Sequence, residues 1–217
     1  MIPSVAIGDL ILQPMRIFCI GRNYAEHVKE MSAAKPTEPV VFMKPTTSLV
    51  SEGEPLMLPK GLGSVHHEME LVVMLGREGR EIPAGAALEC VAGVTLGIDL
   101  TLRDLQNRLK QAGQPWERSK SFDASAPVGK FIAWPAKSDI QNIEMLCKVN
   151  GVRRQHGNTH DMLFPVAEII AFLSRHWQLL PGDLIFTGTP AGVGPLVAGD
   201  RIEIESPQIG RFAWHAA

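Results

Sequence analysis

The stretch "GSVHHEMELVVML", residues 63–75, runs two histidines and two glutamates straight into a row of aliphatics. Read as one strand from Val65 to Leu75, its period of two sets His66, Glu68 and Glu70 on one face and His67, Met69 and Leu71 on the other. A rise of roughly 3.3 Å per residue separates the two carboxylates by about 6–7 Å along that face. The aliphatic continuation points into a core, where unpaired carboxylates are costly and tend to neutralise. A cation between them removes that penalty. Ligation by oxygen alone favours a hard ion, Mg²⁺, Mn²⁺ or Ca²⁺, over zinc, and it calls for a third acid. Asp99 is the best candidate, because "VAGVTLGIDLTLRD" reads as an apolar strand that ends in an acid before a helix begins. Asp104 falls inside the helical pattern and is weaker. The local pattern also fits a half-exposed edge strand whose glutamates face water.

Outward from this stretch, short runs rich in Val, Ile and Phe dominate: "RIFCIG", "PVVFMKP", "VAGVTLGID", "IEMLCKVNG", "DLIFTG" and "DRIEIES". Helical patterns are fewer, the clearest being "NYAEHVKEM", "TLRDLQNRLKQAG" and "PVAEIIAFLSRHW", the last opened by Pro165. Strands do not alternate regularly with long helices, so the expected class is α+β, mostly β, rather than a doubly wound parallel sheet. "SEGEPLMLPKGLGS" and "AWPAKSDIQN" read as turns, not domain boundaries. A chain of 217 residues, 45% hydrophobic, suits one globular domain over 1–217, or one domain with a small appended lobe.

Twenty-one basic against 23 acidic side chains give a net charge of −2, with no block of one sign, which disfavours nucleic acid and anionic membrane as partners. The N-terminal stretch, broken by Asp9, Pro14 and Arg16, resembles neither a signal peptide nor a span. Cys19, Cys90 and Cys147 form no CxxC pair and read as buried thiols in a reducing, cytoplasmic setting.

In "GRNYAEHVKEM", Asn23 reads as an N-cap with Glu26 three residues on, a capping box. His27 and Glu30 then share a helical face, which reads either as that of an exposed amphipathic helix or as a pair in which the carboxylate orients the imidazole for activating water. Lys120 and Arg22 read either as solvated bases or as groups suited to an anionic substrate or a developing enolate. "TGTPAGVG", residues 187–194, lacks the GK[ST] ending of a phosphate loop, and strand-like "DRIEIE" follows it with no helix between. It reads either as a loop whose amides and Thr189 hydroxyl approach a ligand carboxylate or as a structural turn. "QHGNTHDM" reads as a loop bordering the site or an interface rather than a second metal site.

Together, "GRNYAEHVKEM", "EPVVFMKP", "HHEMEL", "GIDLTLRDLQ", "GQPWERSKSFDASAPVG", "VNGVRRQHGNTHDM" and "LLPGDLIFTGTPAGVGPL" resemble, in order, the fumarylacetoacetate hydrolase family. The likeness is to its short acylpyruvate hydrolase branch. It implies packed mixed β-sheets in a roll around a metal, with residues 1–45 supplying N-terminal strands and a lid helix, and usually a homodimer. It implies Glu68, Glu70 and Asp99 as ligands of Mg²⁺ or Mn²⁺. It also implies His27 and Glu30 as a lid dyad, Lys120 beside the metal, and Arg22, Gln106 and Thr189 on the substrate side. The expected reaction is hydrolytic C–C cleavage of a 2,4-dioxo acid such as an acylpyruvate. Decarboxylation or keto–enol tautomerisation of oxaloacetate, or isomerisation of a 2-oxo diacid, is the alternative on the same metal.

Overall fold

The computed structural model describes residues 5–7, 10–135 and 138–217, so Ala136 and Lys137 of the "AWPAKSDIQN" turn lie outside the described residues. Strand accounts for 38% of the chain and helix for 20%, the expected mostly β balance. The largest sheet is curled and runs in the order β4 (Val40–Lys44), β3 (Ile17–Gly21), β14 (Leu184–Phe186), β7 (Met69–Leu75), β8 (Val91–Ile98), β10 (Ala126–Val128) and β5 (Leu49–Ser51). β11 (Ile132–Ala133) also pairs with β8. The sheet is mixed, with β14 parallel to β3 and β10 parallel to β5.

A four-stranded antiparallel sheet has the order β13 (Val152–Asn158), β12 (Glu144–Val149), β16 (Arg201–Ser206) and β17 (Gly210–His215). β15 (Gly194–Leu196), β6 (Val65–His67) and β9 (Thr101–Leu102) form a small third sheet, and β1 (Val5–Ile7) pairs with β2 (Leu10–Leu12). The helices are α1 (Ala25–Glu30), α2 (Ala84–Ala87), α3 (Arg103–Gln111) and α4 (Val166–His176). None of the described helices is long and apolar enough to cross a membrane.

β7 is buried along its whole length because both faces of the large sheet are covered. Val72 and Met74 join Ile17, Cys19 and Phe186 in one core, while Leu71, Val73 and Leu75 join Phe18, Ile20 and Leu96 in the other. The two cores follow the side-chain period of two. All three thiols are free and buried, as expected.

The single strand expected over 65–75 is two. β6 pairs with β15 and β9, whereas β7 pairs with β14 and β8, so the chain changes sheets at Glu68. Partners distant in sequence impose this break, and it frees Glu68 from both ladders. Its carbonyl accepts from Asp99 N at 2.8 Å, which sets the end of β8 opposite the break.

The expected capping box is absent. Tyr24 occupies the N-cap position of α1 with no side-chain cap, and Glu26 pairs instead with Lys29 at 2.5 Å. Asn23, fully buried, donates through Nδ2 to the carbonyls of Thr187 (2.8 Å) and Phe164 (3.1 Å) and accepts from Phe164 N (2.8 Å). A buried amide gains more from satisfying these distant backbone groups than from capping a six-residue helix.

Candidate active site

At the break, Glu68, Glu70 at the start of β7 and Asp99 just past β8 turn their carboxylates toward one point. One oxygen of each lies within 4.8 Å of the others, and all three residues are buried. Among the described residues no other trio of His, Cys, Asp or Glu side chains converges in this way. Three buried acids offering only oxygen fit a hard divalent ion.

Three buried cations face them. Lys120 Nζ donates to Glu68 Oε2 at 2.8 Å and to Asp99 Oδ2 at 2.5 Å. Arg103 pairs with the other Glu68 oxygen and donates to Gln106 Oε1 at 2.8 Å. Lys44 Nζ lies 2.9 Å from Asp99 Oδ1 without making a directed hydrogen bond to it, so that oxygen remains unpartnered. The Lys44 ammonium donates instead to Ser125 Oγ (2.9 Å) and Ser125 O (3.1 Å), locking the loop that carries Lys120. Neither Lys44 nor Arg103 had a local sequence signal beyond its place in a quoted motif.

Burial alone pushes the Glu68 carboxyl up, but Lys120 and Arg103 overcome this and hold it well below the usual carboxylate range. For Glu70, burial and then the charges of Asp99 and Glu68 push the carboxyl well above that range. Burial opposes the Lys120 ammonium, yet Asp99 and Glu68 outweigh it and keep the amine charged. Glu70 is therefore the acid with the least cationic support, and a divalent ion would supply it.

The "TGTPAGVG" segment turns its amides on the chain's own carboxylates. Gly188 N donates to Glu70 Oε2 at 2.6 Å and Gly192 N to Glu30 Oε1 at 3.0 Å. Both glycines have positive φ, 101° and 99°. A Cβ on Gly192 would lie 2.0 Å from Arg154 O, so only glycine fits there. The other Glu30 oxygen accepts from His27 Nδ1 at 2.9 Å, so the expected dyad is formed and its carboxylate is tied to the loop. His27 is 6% exposed.

Gln155, passed over in the sequence, ties these parts together. Its Oε1 accepts from His67 Nδ1 (3.1 Å) and Met69 N (2.9 Å), the two residues that flank Glu68. Its Nε2 donates to Thr189 Oγ1 (2.7 Å) and Pro190 O (2.8 Å). Thr189 in turn donates to Met69 O at 2.8 Å, so its hydroxyl proton is engaged with β7.

A cavity of about 430 Å³ opens over this cluster, and His27, Glu68, Lys120, Gln106, Arg22, Arg103 and Lys110 are among the residues that line it. Of the expected site residues, His27, Lys120, Arg22, Gln106 and Glu68 thus share one space. Glu30, Glu70, Asp99 and Thr189 are not among its lining residues; Glu70 and Asp99 are buried, whereas Glu30 is exposed. Asp104, the weaker acid, is exposed and accepts from Ser64 N at 2.9 Å, outside the trio. In "QHGNTHDM", His156 pairs with Glu144 (3.0 Å) and His160 with Asp161 (3.1 Å), all of them exposed.

Residues 16–215 match the family described as fumarylacetoacetate (FAA) hydrolase C-terminal. The chain is 45% identical over 199 residues to the oxaloacetate tautomerase YcgM of Escherichia coli K12, covering 91% of each. It is 45% identical over 187 residues to the mitochondrial oxaloacetate tautomerase FAHD1 of Bos taurus, covering 86% of this chain and 85% of the relative. Its fold superposes on a crystal structure of fumarylpyruvate hydrolase from Pseudomonas aeruginosa in complex with Mn²⁺ and pyruvate. That match has a TM-score of 0.93 at 36% identity, over 99% of this chain and 95% of the other.

Proposed function

Since the chain belongs to the fumarylacetoacetate hydrolase family, we propose that it performs divalent-metal-assisted enolate chemistry on short 2-oxo acids, with keto–enol tautomerisation of oxaloacetate as its leading reaction. The observation that carries this reading is that His27, hydrogen-bonded to Glu30, lines the same cavity as Glu68 of the three-acid cluster. Identity to two oxaloacetate tautomerases brings that reaction ahead of the acylpyruvate hydrolysis expected first from sequence.

Glu68, Glu70 and Asp99 would hold Mg²⁺ or Mn²⁺, and when bound such an ion supplies Lewis acidity to the 2-oxo group and stabilises enolate charge. His27, with Nδ1–H engaged by Glu30, keeps Nε2 as the basic nitrogen. In tautomerisation it removes a proton from C3 and the enolate oxygen takes one up; the reverse direction returns the proton to carbon. Lys120 adds a fixed positive charge beside the developing oxyanion. The protein would act as one catalytic unit over 1–217, residues 1–45 bringing strands and the α1 lid to it, as a cytoplasmic homodimer; the family resemblance supports this.

Hydrolysis of a 2,4-dioxo acid is the second reading, favoured by the oriented His27 and by the Pseudomonas fumarylpyruvate hydrolase. His27 would take a proton from water, the hydroxide would attack the C4 carbonyl, and the C3–C4 electrons would leave as pyruvate enolate. One preparation loaded with Mg²⁺, assayed for oxaloacetate tautomerisation and for acylpyruvate cleavage, ranks the two. His27→Ala should lower turnover by about 10²–10⁴ with metal affinity intact, and Glu68→Ala should lose both. Full activity in His27→Ala would refute the assignment.

A further inference from the structure

Two cations in the cavity have no carboxylate to answer them. Lys44 stands against Asp99, Arg103 against Glu68 and Lys120 against both, whereas Arg22 and Lys110 line the same cavity and hold no acid among the described residues. Arg22 also sits at a φ of 59°, a left-handed backbone that a non-glycine residue adopts at a cost.

Lys110 lies on the face of α3 that carries Arg103, Gln106 and Asn107, all four lining the cavity at helical spacing. Seven residues separate it from Arg103, about 10 Å along the helix axis at 1.5 Å per residue. Arg103 marks the acid cluster through Glu68, so Lys110 marks the far end of the same space. Its stem is half-buried, with Nζ 5.6 Å from the Trp116 ring centre. Burial, then Arg22, Arg103 and Lys120, bring its amine down to about 8. An anion placed there would relieve that crowding.

The charges point the same way. Three site carboxylates are balanced by three buried cations, so a divalent ion leaves a surplus of positive charge before Arg22 and Lys110 are counted. We infer that Lys110, together with Arg22, forms a second anion subsite that takes the distal carboxylate of the substrate, so that Lys110 sets the preference for a 2-oxo diacid over a 2-oxo monoacid. This rests on the 2-oxo acid reading above, whose leading substrate carries such a second carboxylate, and extends it to a specificity residue that reading leaves unused.

The test is titration calorimetry of the Mg²⁺-loaded protein with 2-oxoglutarate and with 2-oxopentanoate, which share the 2-oxo acid head and differ in the distal carboxylate. The native chain should bind the diacid about tenfold more tightly, the equivalent of one partly exposed charge-assisted contact. In Lys110→Met, which keeps the stem beside Trp116, that preference should fall to within about twofold while 2-oxopentanoate affinity holds. Lys110→Arg should restore most of it. Equal affinity for both probes in the native chain, or equal weakening of both in Lys110→Met, overturns the subsite alone. Failure of the native chain to bind either probe overturns the 2-oxo acid reading beneath it.

Discussion

Replacing Gln155 by leucine would remove four hydrogen bonds at nearly constant buried volume. Met69 N, His67 Nδ1–H and Pro190 O would be left in the interior without their partner, and Thr189 Oγ1 would lose a donor. Each stranded buried group costs about 1–3 kcal/mol, so the three together reach roughly 3–9 kcal/mol. Burial of the leucine side chain returns about 1.5–3 kcal/mol, for a net loss near 4 kcal/mol. With an m-value of about 2–3 kcal/mol/M in urea, the unfolding midpoint should drop by about 1.5 M. The measurement is urea unfolding in EDTA, followed by both tryptophan fluorescence and circular dichroism. A midpoint within about 0.5 M of the native protein, at unchanged m, would refute the claim that this amide ties Glu68 to the Thr189–Pro190 loop. Gln155→Glu sharpens the test. Its carboxylate can still accept from Met69 N but meets Pro190 O, to which only the protonated acid can donate. Burial raises its folded pKa above the unfolded value of about 4.3. The stability of this variant relative to the native chain should therefore be greatest below that unfolded value and decline as pH rises through the folded one.

Two further outcomes follow from the dyad and from Lys110. Glu30→Gln leaves one acceptor oxygen for two donors, His27 Nδ1–H and Gly192 N–H, so turnover should fall about ten- to a hundredfold, less than on losing the base itself, with Mg²⁺ affinity unchanged. Loss of Mg²⁺ affinity in that variant would argue against a positioning role. Because the Lys110 amine stands at about 8 and is charged below that value, the preference for 2-oxoglutarate should be strong at pH 7 and largely gone at pH 9. Lys120, kept charged by Asp99 and Glu68, does not titrate across that window. A preference that persists at pH 9 would show that Lys110 does not carry it.

Local pattern read the large features well. The aliphatic run of "MELVVML" does lie buried along β7, and α3 and α4 begin and end within two residues of their helical patterns. The acid pair was legible because charged side chains leading into such a run demand compensation. What escaped notice depends on partners far along the chain. The break at Glu68 arises because β6 and β7 belong to different sheets, and Asn23 abandons its cap for carbonyls 141 and 164 residues away. Lys44 and Arg103 carry no local signal that sets them apart from solvated bases, and only the fold brings each to an acid. Gln155, 86 residues from Met69, carries no local signal of its bonding. The family likeness sets Thr189 on the substrate side, and in the fold its hydroxyl donates to Met69 O of β7.

The central claim is that Glu68, Glu70 and Asp99 hold a divalent ion beneath His27. Anomalous diffraction from crystals grown with Mn²⁺ tests it most directly. The account predicts one strong peak among these three carboxylates, with Mn–O distances of about 2.0–2.2 Å. A crystal with no peak there, Lys120 still bridging Glu68 and Asp99 and the Mn²⁺ held elsewhere, would contradict it.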